Sequence, residues 1–165
     1  MQNAYPATDP SDIQAAETES FPIPPHAAHL SSCLINHPYQ QFCGLKVIAQ
    51  RPGFCLARLT VTENIDNLGH TLHGGVIYSM LDVVSMLATL PLLDTGEYAL
   101  TTSMSSSLMS PAPLGLEVDF EAEVRRSGRT AVFTEARAYK IKPDETRALI
   151  ASALFTKSRF KRDLR

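Results

Sequence analysis

The stretch "NLGHTLHGGVIYSMLDVVSMLA" (residues 67–88) decides how this chain folds. The eighteen residues from Val76 to Leu93 carry one charge, Asp82, in an otherwise oily helical run. A helix that is apolar on nearly every side must be enclosed, by a membrane or by the rest of a folded protein. Eighteen residues sit at the short end of a bilayer span of roughly 17–25, and a central Asp82 would cost roughly 2.5–3.5 kcal/mol there. Pro91, Ser79, Ser85 and Thr89 weaken a span further. The reading is a buried core helix and no membrane partner. Inside a protein, a lone carboxylate is costly unless something compensates it.

Working outward, two strand-like runs precede this helix, "GLKVIAQ" and "FCLARLTV", joined by a Pro-Gly turn at Arg51–Gly53. Four extended segments follow it. The serine-rich "TTSMSSSLMS" (101–110) is closed by Pro111 and Pro113. In "LEVDFEAEV" (116–124), Leu116, Val118, Phe120, Ala122 and Val124 alternate with Glu117, Asp119, Glu121 and Glu123, giving one oily and one acidic face. "RSGR" (126–129) makes a hairpin into "TAVFTEARAYKI", and "KPDET" (142–146) turns into "ALIASALFTKSRF". Short turns between segments of this length fit an antiparallel meander. The fold class is therefore α+β: an antiparallel five- to six-stranded sheet wrapped around one long central helix. Residues 1–26 hold five of the eleven prolines and read as a mobile tail ahead of a single domain over 27–160. A short helix is expected within "AAHLSSCLINHPYQ", ending near Pro38.

Composition sets outer bounds. The chain has 165 residues, 44% hydrophobic and 19% charged, which suits one globular domain. A net charge of −2 gives no electrostatic reason to expect nucleic acid or an acidic membrane as partner. Cys33, Cys43 and Cys55 form no CxxC pair, and an odd count fits reduced thiols. Neither a secretory signal nor a mitochondrial presequence is legible, since Asp9, Asp12, Glu17 and Glu19 all precede the first Lys or Arg, Lys46. The expected localisation is cytoplasmic.

The chemistry gathers at the helix. His73-Gly74-Gly75 puts two residues without side chains in its first turn, where backbone N–H groups lack intrahelical partners. Free donors and the positive end of the helix dipole suit a carbonyl oxygen about to become negative, although the glycines could simply permit a tight turn. Asp82 lies seven residues after Gly75, roughly 10–11 Å along one helix. One helix cannot offer both groups to the same atom, but two antiparallel copies about a two-fold axis can. The plain alternative is an Asp82 hydrogen-bonded one turn away to Ser79 or Ser85.

The residues Asn67, Gly69, His73, Gly74, Gly75 and Asp82 form a pattern that resembles the hotdog-fold acyl-CoA thioesterases. The resemblance is to the branch typified by the phenylacetate-pathway (PaaI-like) thioesterase and the mammalian thioesterase-superfamily members. It continues through "SLMSPAPLG" (107–115) and "RSGRTAVF" (126–133) and covers about residues 28–158. Gly69 stands one position early against the commonest form. The resemblance implies a hydrolase without cofactor or metal, acting on acyl-CoA as a homodimer or a dimer of dimers (a homotetramer). It implies that the Gly75 N–H, with that of Gly74, polarises the thioester carbonyl. Asp82 of the opposite subunit would act as nucleophile or general base. Asn67 would hold the reacting group or water, His73 would set the loop, and Thr101 would replace a serine that orients water. Arg126, Gly128 and Arg129 would lie near the CoA phosphates, where guanidinium groups suit a polyanion.

Other chemistries find less support. There is no G-x-S-x-G, Walker or dinucleotide pattern. His70 and His73 are three apart, yet a third strong metal ligand is missing nearby. A hydratase would need an acidic partner beside His73. The rival from another class is a non-catalytic acyl-CoA or acyl-carrier binding module on the same fold.

Overall fold

The computed structural model describes residues 22–161. Residues 1–21, most of the stretch read as a tail, lie outside the described residues. Helix α1 (Pro25–Ile35) begins inside its last part, and α2 (Pro38–Cys43) follows at once. Both open on a proline, whose fixed φ suits a first helical turn and whose missing N–H costs nothing there. Pro38 therefore ends the expected short helix and starts a second.

Six strands among the described residues follow the expected order around the long helix: β1 (Lys46–Arg51), β2 (Phe54–Thr60), β3 (Glu97–Leu108), β4 (Glu117–Ser127), β5 (Ala131–Ile141) and β6 (Arg147–Lys161). They form one antiparallel sheet in the order β1-β2-β4-β5-β6-β3. Gly53 takes φ +83° in the β1–β2 turn, a left-handed conformation that favours glycine. The long helix, α3 (Gly74–Thr89), runs into a 3₁₀ turn at Leu90–Leu92, where Pro91 cannot continue an α-helix.

The inward face of the sheet explains how α3 is enclosed. Ala57, Val118, Phe120, Ala138 and Ala153 belong to the same buried cluster as Met80, Leu81, Val84 and Leu87 of the helix. Alanines at facing positions let the helix seat close to the strands, while Phe120 fills the space between. The segment Gly74–Leu92 is long and apolar enough to cross a membrane by length and composition alone, and here 67% of it is buried within the fold.

The acidic face of β4 is not left to solvent. Arg58 Nε donates to Asp119 Oδ1 at 2.7 Å, and Arg147 Nη2 donates to Glu121 Oε2 at 3.0 Å. Both carboxylates end up buried beneath these guanidinium groups. Cross-strand charge pairs thus cover the outer face, and the alternation on β4 sets which face meets the helix. Phe120→Ala should cost about 3–5 kcal/mol by removing the largest fully buried side chain from the helix–sheet seam. Denaturant unfolding with an unchanged slope and a lower midpoint would show it.

Candidate active site

Enclosure of α3 leaves one narrow stripe within reach of solvent. Gly75, Tyr78, Ser79, Asp82 and Met86 are the exposed or half-exposed positions along it. At about 100° per residue, seven residues fall roughly 20° short of two full turns, so Gly75 and Asp82 share one line on the helix surface.

Asp82 is compensated, though not by the serines one turn away. Ser79 Oγ donates to the Gly75 carbonyl at 2.8 Å, and Ser85 Oγ to the Asp82 carbonyl at 2.8 Å. The Asp82 carboxylate instead receives Thr101 Oγ1 at 2.6 Å and Lys157 Nζ at 2.8 Å, both on Oδ1. Lys157 Nζ also donates to Thr101 Oγ1 at 2.7 Å, which closes a triangle. The Asp82 side chain is 42% exposed, whereas that of Lys157 is 0% exposed. Burial pulls the Lys157 ammonium below the usual lysine range, and the Asp82 carboxylate opposes that pull.

A bulge in the sheet makes the triangle possible. The β3–β6 register shifts between Thr101 and Ser103, leaving Thr101 directly opposite Lys157. The extra residue, Thr102, turns its hydroxyl to the Thr156 carbonyl at 3.2 Å. Bulges of this kind re-aim one side chain without ending the pairing. The role expected of Thr101, orienting water, meets a hydroxyl proton already committed to Asp82. Lys157 was not among the expected site residues. Its signal was in the strand parity: Ala151, Ala153 and Phe155 all enter the core, and the next position inward is a lysine.

At the helix entrance, His73 is the N-cap, and its Nδ1 accepts from the Gly75 N–H at 2.9 Å. This bond requires the ring proton on Nε2. The amide expected to polarise a carbonyl is therefore held by the histidine, while the Gly74 N–H has no partner among the described residues. A Cβ at position 75 would stand 3.0 Å from His73 Nδ1, and one at position 74 would stand 3.1 Å from Leu108 Cδ1. Both glycines thus answer to close approach. Asn67 stabilises the loop: its Oδ1 accepts from the Gly69 N–H at 2.8 Å and its Nδ2 donates to Thr71 Oγ1 at 3.0 Å. His70 pairs with Asp66 at 3.2 Å, away from His73.

The family model described as the thioesterase superfamily matches residues 69–146, which hold Gly74, Gly75, Asp82 and Thr101. A thioesterase family protein from Silicibacter pomeroyi superposes with a TM-score of 0.76 at 22% identity, covering 82% of this chain and 98% of that one. The chain has the hotdog fold. The PaaI protein from the phenylacetic acid degradation operon of E. coli has a TM-score of 0.69 at 20% identity, over 82% of this chain and 94% of that one. Acyl-coenzyme A thioesterase 13 of Homo sapiens is 31% identical over 90 residues, 54% of this chain and 64% of the relative. The chain thus spans less than two thirds of that relative's length.

Two groups of site residues expected from the superfamily lie apart within one protomer. Asn67, His73, Gly74 and Gly75 gather at the start of α3. Arg126, Gly128 and Arg129 belong to the β4–β5 hairpin, and Arg159 links the Gly128 carbonyl (3.1 Å) to that of Leu92 (3.5 Å), just past the other end of the helix. Arg126 and Arg129 are both exposed.

The cap geometry predicts a change of sign. Gly75→Ala should lower the melting temperature in the parent, because its Cβ displaces the His73 ring and loses a cap of about 1 kcal/mol. In a His73→Ala background the same change should raise it, since alanine is the better helix former. The charge pair predicts that Asp82→Asn costs somewhat less than the roughly 3–5 kcal/mol of breaking a fully buried pair, because Asp82 is half open to water. Adding Lys157→Met should restore part of that loss, and calorimetry on the four proteins measures both effects.

Proposed function

We propose that this chain hydrolyses acyl-CoA thioesters to a carboxylic acid and CoA, in the cytoplasm, as a homodimer that can pair into a dimer of dimers. The observation that carries this reading is the shared line of Gly75 and Asp82 on the uncovered stripe of α3. Two such stripes laid antiparallel bring the helix start of one copy opposite the mid-helix carboxylate of the other. The edge strand supports that docking: β3 is twelve residues long, lies at the end of the sheet, and exposes Leu100, Met104 and Leu108.

In this arrangement the N–H groups at Gly74 and Gly75 polarise the thioester carbonyl, the latter once the His73 ring releases it. Asp82 Oδ2, which accepts no hydrogen bond among the described residues, faces the reaction. As general base it takes a proton from water while the water oxygen attacks the carbonyl carbon. As nucleophile it attacks that carbon itself, and water then cleaves the mixed anhydride. Either way the C–S bond breaks and CoA leaves as a thiolate that gains a proton. Asn67 holds the entrance loop, and Arg126, Gly128 and Arg129 meet the CoA phosphates. The match of residues 69–146 to the thioesterase superfamily model supports the activity.

A second reading has an observation in its favour. Gly75 N–H and Asp82 Oδ1 are both already engaged within the protomer, as in a module that binds acyl-CoA without cleaving it. Thiol release measured across short, medium, long and aromatic acyl-CoAs separates the two, with Cys33 as a fixed background because it is an exposed free thiol. Turnover that falls at least ~100-fold in Asp82→Asn, and less in Thr101→Ala, is the expected result. Silence across the panel with retained binding would favour the module. Sedimentation at the assay concentration should find a dimer or larger, and a fully active monomer would remove the paired site.

A further inference from the structure

We propose that Lys157 is a positioning residue for Asp82, fixing one oxygen of the carboxylate so that the other faces the reaction. The inference rests on the hydrolytic reading above and goes beyond it, since Lys157 lies outside the segment that the superfamily model matches. Three observations carry it.

The first is where the amine sits. Lys157 is among the largest fully buried side chains of the described residues, on a strand whose preceding inward positions are Ala151, Ala153 and Phe155. Its Nζ stands 5.2 Å from the Phe155 ring centroid. An ammonium in such a place is expensive unless a counter-charge meets it, and a methionine would pack there without that cost. The second is convergence. Lys157 Nζ and Thr101 Oγ1 both donate to Oδ1, and Lys157 also orients the threonine by donating to it. One oxygen is fixed from two sides and the other is left open, as a carboxylate that must present a single lone pair requires. The third is the bulge at Thr101–Ser103, which breaks the β3–β6 ladder at the one place that sets Thr101 across from Lys157.

Among the described residues, no other charged group bonds this carboxylate. Of the elements packed against α3, α2 brings Tyr39, whose hydroxyl lies 3.4 Å from Ser79, and the buried thiol Cys43. β2 brings Cys55, whose thiol burial pushes up. The inward positions of β4 and β5 are apolar apart from Thr134, and their charged residues Asp119, Glu121, Glu135 and Arg137 pair on the outer face. On β1, Lys46 is exposed and Arg51 lies over the Phe54 ring. β3 contributes the Thr101 hydroxyl and β6 the Lys157 ammonium, while Glu97 of β3 and Arg159 of β6 pair with each other. Burial favours the neutral form of Lys157, and the Asp82 carboxylate opposes that pull.

The test is the pH dependence of kcat/KM for octanoyl-CoA and phenylacetyl-CoA hydrolysis in the parent, Lys157→Met and Lys157→Gln. Removing the counter-charge from beside the carboxylate should move the acid limb to higher pH in both variants. Glutamine keeps a donor and should retain more of the plateau rate than methionine. A purely structural lysine would change stability and leave the limb in place, and a limb unmoved in both variants overturns the proposal. Nitrogen-15 spectra of the lysine ammonium groups in the parent give a reading that needs no variant to fold. A protected Lys157 ammonium at neutral pH is expected, and a neutral amine there overturns the assignment. Asp82→Asn separates the two levels. If it is slow while Lys157→Met keeps the parental limb, only the role of Lys157 falls; if it is as fast as the parent, the hydrolytic reading falls with it.

Discussion

An ammonium sealed inside the sheet and a carboxylate at its surface hold the two layers of this protein in one relation. Lys157 has no solvent of its own, so its charge is tolerable only where Asp82 meets it. That requirement fixes two degrees of freedom together. A one-residue slip of β6 would send Lys157 to the outer face, and a one-residue turn of α3 would swing Asp82 by about 100°. Apolar packing between alanines and leucines tolerates small slides far better than a bond of 2.8 Å does. The pair therefore sets the phase of the helix, and the phase decides which stripe stays uncovered.

That stripe is where the candidate chemistry lies. Gly75 and Asp82 occupy it because they are seven residues apart, and Tyr78 and Ser79 fill the turn between them. The same separation keeps the two groups from serving one atom within a protomer. The proposed site is in this sense half a site, completed by symmetry along the exposed edge of β3. His73 meanwhile caps its own helix, so the entrance is stable before any ligand arrives.

Most of the architecture was legible because its signals are local. The alternation of Val118, Phe120 and Ala122 with acidic residues marks a strand and its inward face. The apolar run after Gly75 marks the enclosed helix, and Pro52-Gly53, Gly128 and the Lys142–Thr146 stretch mark the hairpins. Asp82 and Thr101 were also readable, from isolation in oily sequence and from a resemblance. What binds them was not. The partner of Asp82 is seventy-five residues away, and the bulge that aligns Thr101 with it leaves no mark of its own in the sequence. Only the parity of β6 hinted that a lysine points inward. Likewise, nothing local says that a histidine takes up the Gly75 amide, because that depends on a side-chain rotamer.

The strand order carries a consequence for how the protein is made. β3 emerges before β4, yet among the described residues its only neighbour in the sheet is β6. While the ribosome completes the 38 residues between them and then β6 itself, β3 waits as a lone ribbon, and such ribbons invite wrong pairings. Its run of serines and threonines between Thr101 and Ser107 keeps that waiting ribbon polar. The counter-ion of Asp82 arrives with β6 as well. Both the sheet and the charge balance of its helix close in the same late event.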